Sequence, residues 1–388
     1  MNIRILKVEI CNIPVLGDNV ASIDFVASQR VSEDDKSRLY NIFNNVYQSE
    51  ALAFVGINAS GKTTMLKLLS FTMSMLNNKP LNSIGNADFM NLIDSVDPAV
   101  FTTYFSANDS VYQLMTEIVR IDGRLVIRNE ILKEKSFRNV KFKKLLYDFS
   151  GIEPVMDRSR LDRTFLLDDV SIMVSFNKQY DASVYFIDLL NQTNRNYLEN
   201  TGSEFPVELI EFLDPSVEYF KIIKAIAGSE FELKFKRYDE VLYLKRADEL
   251  DRYLSSGTIK GINIFMDAIE CFRRGGYLLI DELENHFNKE IIASLIRFFM
   301  NESINSEGAV LLFSTHYSEI LDEFDRNDSV YVVRNENGIE IRNLSDILKR
   351  NDIKKSEAFL SGFLGGTAPK YKSFMALKKY LMNTGKEN

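Results

Sequence analysis

Residues 56–64 combine the residue types that hold a phosphate chain and its metal ion. The segment reads Gly-Ile-Asn-Ala-Ser-Gly-Lys-Thr-Thr and follows an apolar run. Its two glycines let the backbone curl so that successive N–H groups face one anion, the lysine adds positive charge, and the first threonine offers a hydroxyl to Mg²⁺. A helix that begins here directs its positive end at the same anion. We therefore predict phosphate contacts from Gly56, Asn58, Ser60, Gly61, Lys62, Thr63 and Thr64.

An acidic pair stands at the end of another apolar run. Tyr277–Ile280 has the composition of a buried strand, and Asp281 and Glu282 follow it. An acid at such a strand end can lie beside a phosphate-binding loop and hold Mg²⁺ through water. We predict that Asp281 binds the metal ion with Thr63, and that Glu282 is the base that orients and polarises an attacking water. The alternative is that the pair caps the helix that follows.

Two further features fall near these segments in the predicted fold. Leu-Ser-Ser-Gly at 254–257 opens a predicted helix, where Ser255 and Gly257 would form a second anion site; an ordinary helix cap is the alternative. His316 follows a predicted strand at 309–313 and stands where a γ-phosphate contact is expected, although a lone histidine is usually structural. His286 either packs structurally or faces a partner subunit, and the sequence does not decide between these roles.

Alternating strands and helices place these residues. Short apolar runs predict buried strands, and the spacing of apolar side chains predicts amphipathic helices between them. Such alternation indicates a mostly parallel sheet covered on both faces. The predicted strands are 3–10, 20–26, Ala51–Val55, Tyr277–Ile280 and 309–313, and the predicted helices are 65–76, 258–274 and 289–300.

The middle of the chain does not continue this regular alternation of strands and helices. Residues 111–131 predict a β-hairpin that turns at Asp122-Gly123, and prolines break the later part into short elements. Residues 32–45 are polar and predict a surface loop or short helix. Basic residues cluster at 133–144 and again at 234–246, each interleaved with aromatic residues. Each cluster is either a phosphate-binding surface or a solvated face.

Composition excludes several classes of protein. The 388 residues carry a net charge of −8, which argues against a surface built wholly for nucleic acid but leaves room for a local basic patch. The two cysteines, Cys11 and Cys271, are expected to be reduced core thiols. No apolar run approaches the ~18 residues that cross a bilayer, and the N-terminus lacks the apolar core of a signal peptide. We expect a cytoplasmic protein without membrane contact.

The order of the motifs resembles that of the ABC-type ATPase head: phosphate-binding loop, signature motif (254–257), acidic strand and switch histidine. The sequences of residues 54–64 and 280–285 resemble those of the soluble ATPases of the overcoming-lysogenization-defect (OLD) type. Residues 330–335, 344–346 and 362–369 also resemble the C-terminal part of that group. The resemblance implies an α/β fold: a mostly parallel sheet flanked by helices, with an antiparallel β subdomain, interrupted by a mixed α+β insertion. It implies the N-terminal half of the head at 1–87, the insertion at 88–250, the C-terminal half at 251–345 and a helical extension at 346–388.

The chain departs from that family in three places. No glutamine is assigned to the Q-loop, for which Gln113 is the nearest candidate. The segment after Glu284 lacks the proline common in the D-loop of the family. The residues after His316 contain no acidic cluster that would build the TOPRIM nuclease of full-length OLD proteins.

The resemblance also implies a mechanism that needs two copies of the chain. ATP and Mg²⁺ are its cofactors, and Glu282, Lys62 and His316 its catalytic residues. In such a homodimer, Ser255 and Gly257 of one subunit contact the γ-phosphate held by the other, and twofold symmetry closes the interface. Hydrolysis then acts as a slow switch. Whether the dimer assembles further is left open.

Three roles for the switch follow from these features. The leading hypothesis is the ATPase sensor of a bacterial anti-phage defence system that works with a separately encoded effector protein. The alternative is a DNA-binding ATPase of recombination, repair or chromosome maintenance, whose basic clusters contact phosphates. The ATPase of a membrane transporter is disfavoured, because Lys62 and Asp281 lie much farther apart than the corresponding motifs of transporter heads.

Overall fold

The structure is a computed structural model that describes residues 1–17, 20–85, 87–93, 96–161, 166–191, 205–225, 228–285, 287–350, 353–364 and 371–384. The strands are β1 (Arg4–Cys11), β2 (Val20–Asp24), β3 (Leu39–Phe43), β4 (Val46–Ser49), β5 (Ala51–Val55), β6 (Ala99–Ala107), β7 (Ser110–Ile121), β8 (Arg124–Ser136), β9 (Pro154–Asp157), β10 (Phe186–Asp188), β11 (Val217–Ala225), β12 (Gly228–Phe235), β13 (Val241–Leu244), β14 (Tyr277–Ile280), β15 (Val310–Thr315), β16 (Val330–Asn335) and β17 (Ile339–Asn343). The α-helices are α1 (Lys62–Leu76), α2 (Met173–Tyr180), α3 (Val207–Leu213), α4 (Ser256–Arg274), α5 (Lys289–Phe299), α6 (Leu344–Ile347), α7 (Lys355–Leu360) and α8 (Tyr371–Thr384).

A central sheet carries the strands that end in the predicted site. Its order is β10-β14-β15-β5-β16-β17, and all neighbouring pairs are parallel except the edge pair β16–β17. Every residue of β5, β14 and β15 is buried, as strands covered on both faces require. In register, Thr315 pairs with Val55 and Phe313 with Ile280. The loops after β5, β14 and β15 therefore leave the sheet at the same edge.

A second sheet is antiparallel and covers α1. Its order is β2-β1-β6-β7-β8-β9. The predicted hairpin is confirmed as β7–β8, with positive φ at both Asp122 (49°) and Gly123 (77°), as a type I′ turn requires. One apolar cluster contains buried side chains from α1, from this sheet and from one face of the central sheet. The helix that begins at the phosphate-binding loop is thus held between two sheets.

Helix α4 joins two parts of the core. Its C-terminal half, with Ile264 and Ala268, packs with the other face of the central sheet and with α5. Its first turns, with Ile259 and Ile262, pack with the three-stranded sheet β11-β12-β13. A side chain at Gly261 would meet the end of the Leu213 side chain of α3 at 2.6 Å, so α3 and α4 pack closely at this glycine.

Several features of the middle of the chain differ from a simple insertion. Residues 99–157 supply four strands to the antiparallel sheet that starts with β1 and β2, and β10 joins the central sheet. The boundaries 87/88 and 250/251 remain predictions about folding units. Residues 32–45 were expected as a loop or short helix; they form a 3₁₀ turn at Asp34–Arg38 and the strand β3, which pairs with β4.

Some features bear on the compartment and on the cysteines. Among the described residues, no helix combines the length and apolar character that crossing a bilayer needs. Both cysteines are free, and Cys271 is buried.

Candidate functional site

The phosphate-binding loop takes a conformation that only its glycines permit. Gly61 adopts φ 101° and precedes the first residue of α1, and Ala59 also lies in the left-handed region at φ 61°. A Cβ on Gly56 would come within 2.3 Å of the Val333 carbonyl oxygen and 2.6 Å of Ser60 Oγ. The loop therefore wraps tightly, and the phosphate contacts of its N–H groups stay a prediction.

Lys62 folds back across this loop. It is buried, and Nζ donates to the carbonyl oxygens of Gly56 and Ile57, both at 3.0 Å. Burial is the largest influence on its pKa and lowers it, while nearby Asp281, Glu284 and Glu282 act to raise it. The ammonium is thus held against the loop by its own carbonyl groups.

Asp281 and Thr63 meet as a pair of oxygen donors. Thr63 Oγ1 donates to Asp281 Oδ2 at 2.7 Å, and Ser314 Oγ donates to Asp281 Oδ1 at 2.5 Å. Among the described residues, no three His, Cys, Asp or Glu side chains are grouped to hold a metal ion by themselves. A Mg²⁺ ion here would take few protein ligands and complete its octahedron with phosphate and water, as Mg²⁺ usually does.

Glu282 stands in a strained backbone conformation. Its φ is 49°, a region that costs a non-glycine residue about 1–2 kcal/mol. Ser314 Oγ accepts its N–H at 2.7 Å, and the next N–H, that of Leu283, donates to the Ser314 carbonyl at 3.1 Å. Asn285 Nδ2 donates to Glu282 Oε2 at 2.7 Å. The carboxylate remains 42% exposed and is held toward solvent, as the position of a base for water requires.

His316 links the loop to the acidic segment. Its Nδ1 lies 3.2 Å from Lys62 Nζ and 3.1 Å from the Gly56 carbonyl oxygen, and its Nε2 lies 3.6 Å from Glu282 Oε1. Its backbone N–H donates to Glu284 Oε1. The buried Glu284 thereby anchors the histidine loop, and its other oxygen accepts no hydrogen bond from the part of the chain that the structure describes.

The geometry fits a nucleotide triphosphate. Ser60 is 2% exposed, and its hydroxyl has no hydrogen-bond partner among the described residues. A buried hydroxyl of this kind is costly unless a ligand satisfies it. Together with the tight approach at Gly56 and the ammonium of Lys62, it makes a cradle that matches a phosphate chain. Asn58 is exposed on the outer side of the loop, and Thr64 lies in the first turn of α1.

The signature motif lies in another part of the fold. Ser255 is the N-cap of α4, where its Oγ accepts the Thr258 N–H at 3.0 Å. Ser255 is exposed and Gly257 half-buried, and Leu254 packs with the three-stranded sheet. None of the hydrogen bonds or ion pairs described above for the loop and acidic segment reaches Ser255 or Gly257.

Four further residues complete the comparison with the sequence predictions. Gln113 lies in the antiparallel sheet and donates from Nε2 to Tyr104 Oη at 3.0 Å, so its amide is engaged there. His286 lies outside the described residues. Ser314 and Glu284 were not singled out by sequence reasoning, although both stand within two residues of a residue that was.

One comparison with known proteins identifies the family. The sequence model of the family described as "AAA domain, putative AbiEii toxin, Type IV TA system" matches residues 52–322, more than half of the chain. The match covers Lys62, Asp281, Glu282 and His316 together. A comparison with curated proteins found no match. The chain therefore belongs to this family of AAA-domain P-loop ATPases.

Proposed function

We propose that the protein is an ATP-hydrolysing switch that uses Mg²⁺ and works as a homodimer of the ABC type. The observation that carries the proposal is the convergence of a cation, a metal-binding oxygen pair and a carboxylate base at one sheet edge. Thr63 and Asp281 are joined by a hydrogen bond of 2.7 Å, and His316 lies 3.2 Å from Lys62 and 3.6 Å from Glu282. Membership of an AAA-domain family supports nucleotide binding at this edge.

Each residue has a chemical task in this proposal. Lys62 neutralises charge on the β- and γ-phosphates, and Thr63 and Asp281 hold the metal ion, which supplies Lewis-acid stabilisation of the phosphates when bound. Glu282 accepts a hydrogen bond from the attacking water and polarises it as a general base. His316 stands between Lys62 and Glu282, where it can donate toward a γ-phosphate oxygen and sense its loss.

The position of the signature motif supports a second copy of the chain. Ser255 and Gly257 lie at the start of a 19-residue helix whose N-terminal dipole favours an anion. Because Ser255 is exposed and directly bonded only within its own helix cap, its phosphate partner in this proposal is the nucleotide of the other subunit. Two such sites, related by a twofold axis, would hold two nucleotides between two subunits.

The biological role proposed is regulation of a separately encoded effector in a bacterial anti-phage defence system. Two observations support this role: the motif sequences resemble those of OLD-type ATPases, and the description of the family names a toxin of a toxin–antitoxin system. Slow hydrolysis suits such a role, because the ATP-bound dimer then persists as a distinct state until turnover.

The experiment is size-exclusion chromatography of Glu282→Gln with ATP and Mg²⁺. Removal of the base should leave binding intact and block hydrolysis, so the variant should retain ATP and elute as a dimer or larger assembly. Asp346→Asn, an exposed acid outside the site, is the control and should turn ATP over at the wild-type rate. A Glu282→Gln protein that binds ATP and elutes as a monomer would refute the dimer.

A further inference from the structure

A second recess shares no lining residue with the nucleotide site. Its volume is about 510 Å³. Three segments form it: the loop at 28–33, the β3–β4 turn at 44–47, and the segment 140–143 that follows β8. A recess of this volume is in the range that takes a compact organic group.

Positive charge in this recess is not matched by the protein's own acids. Arg30 and Lys141 are both exposed and form no ion pair with any described residue, in a chain whose net charge is −8. Lys36 is paired with Glu33 at 2.7 Å. Burial lowers the pKa of Lys143, with Asp24 and Asp328 raising it, so Lys143 is partly committed to those carboxylates. Among the described cations that line the recess, Arg30 and Lys141 are therefore the pair left to meet an external anion.

Aromatic and amide groups stand beside these cations. Phe142 stands between two lysines and is 63% exposed, which is unusual for a phenylalanine. Lys144 Nζ lies 6.0 Å from the centroid of its ring. Tyr47 and the amides of Asn44 and Asn45 also line the recess. Flat apolar faces next to unpaired cations match a ligand that alternates aromatic rings with negative charges.

The other basic cluster of the sequence is partly neutralised by contacts within the protein. At 234–246, Lys236 is paired with Glu211 at 2.7 Å, Arg246 is paired with Asp248, and Lys234 Nζ donates to the Tyr238 carbonyl. Three of its cations thus have partners within the protein. Arg237 and Lys245 of this cluster are exposed, as are Tyr238 and Tyr243, so the two clusters differ in how many of their cations are paired.

We propose that the recess binds single-stranded nucleic acid, with Arg30 and Lys141 on backbone phosphates and Phe142 stacked on a base. A concave site suits a single strand, whose unpaired bases can project into it, whereas reading a duplex requires an element that protrudes into a groove of the nucleic acid. This site is independent of the ATPase proposal, because it shares no residue with the nucleotide site.

The test is fluorescence anisotropy of the full chain, without nucleotide, against a labelled 12-nucleotide oligothymidylate over a range of salt concentrations. Lys141→Gln should weaken binding several-fold and reduce the slope of log affinity against log salt by about one. Phe142→Ala should weaken binding about 5- to 150-fold, the loss of one base stack. Lys236→Gln changes the net charge by the same amount in the paired cluster, and it should bind as the wild type does.

Four results would overturn the proposal. Two concern the variants: equal affinities for Lys141→Gln and Lys236→Gln, or unchanged affinity in Phe142→Ala. Equal affinity for a duplex of the same length would show that base stacking plays no part. Displacement of the oligonucleotide by an equimolar polyglutamate peptide would show that the recess recognises an acidic protein segment instead. Because Lys141 and Phe142 are exposed, melting temperatures should be unchanged and will show that the variants are folded.

Discussion

Ser314→Ala should separate the positioning of the acidic pair from the stability of the fold. Ser314 is fully buried at the end of β15, and its hydroxyl donates to Asp281 at 2.5 Å and accepts the Glu282 N–H at 2.7 Å. These two bonds span from β15 to the residues that follow β14. They hold Glu282 in the left-handed conformation, which it would otherwise leave.

The magnitude follows from those two bonds. A buried hydrogen bond to a charged group contributes about 1.5–3 kcal/mol, and an N–H left without a partner costs about 1–3 kcal/mol. Alanine should therefore lower the free energy of unfolding by roughly 2.5–6 kcal/mol. Without the bond, Glu282 should also lose its alignment, and we expect kcat for ATP to fall by roughly 10- to 100-fold, which corresponds to about 1.4–2.7 kcal/mol.

A matched variant distinguishes the two effects. Ser356 is also buried, and its hydroxyl donates to Asp322 at 2.5 Å in the contact of α7 with the 3₁₀ turn at Ser318–Glu323. Ser356→Ala should lose a similar amount of stability in thermal denaturation but retain kcat in a steady-state phosphate-release assay. In a Glu282→Gln background, Ser314→Ala should reduce kcat by less than it does alone, because it acts largely through Glu282. Equal kcat values for Ser314→Ala and Ser356→Ala, or fully additive losses, would refute this reasoning.

Two further predictions concern buried positions. Glu50 is 2% exposed and receives one hydrogen bond from Asn305, and burial raises its pKa to about 8. The free energy of unfolding should therefore have its full value below about pH 4.5 and fall by roughly 4 kcal/mol as pH rises through 8. In denaturant melts, Glu50→Gln should remove that fall and Glu319→Gln should not, and an equal pH dependence of the unfolding free energy in all three proteins would contradict the assignment. Gly56→Ala should abolish nucleotide binding in calorimetry and cost about 1–3 kcal/mol of stability, because its Cβ would meet the Val333 carbonyl oxygen at 2.3 Å. The control Gly85→Ala, with open space around it, should do neither. Wild-type affinity for nucleotide in Gly56→Ala would show that the loop relaxes.

The grouping of Lys62, Thr63, Asp281 and Glu282 could be predicted from the sequence, because parallel strands end at one edge of a sheet. The apolar runs that form β5, β14 and β15 are short and fully hydrophobic, so the sequence predicts the ends of these strands to within one or two residues. β5 and β14 have the predicted bounds, and β15 is shifted by one residue at its start and two at its end.

The roles of Ser314 and Glu284 could not be predicted in the same way. Ser314 reaches Glu282 only because β14 and β15 pair with Ile280 beside Phe313, a register that local sequence does not encode. Glu284 is similar: it accepts an N–H from His316, 32 positions away, across the same strand pair. Serines and glutamates at such distances have no spacing signal of their own.

The antiparallel sheet shows the same limit at a larger scale. The β7–β8 hairpin was predictable from its Asp-Gly turn, since the signal lies within a few residues. The pairing of β1 with β6 joins Lys7 to Tyr104, across nearly a hundred residues. Such pairing depends on burial against α1 rather than on any local pattern, so residues 88–157 looked like part of an insertion.

The central claim is that the signature motif of one subunit completes the nucleotide site of the other. Ser255→Asp keeps a good helix cap but adds negative charge where a phosphate should bind, and Lys62→Ala removes the cation of the loop. Each variant alone should be inactive as an ATPase, with Ser255→Asn as a neutral control for the cap. A one-to-one mixture should recover about a quarter of wild-type activity, because half of the dimers pair the two variants and each of these has one intact site of two. A mixture no more active than the two variants measured separately would contradict the shared site.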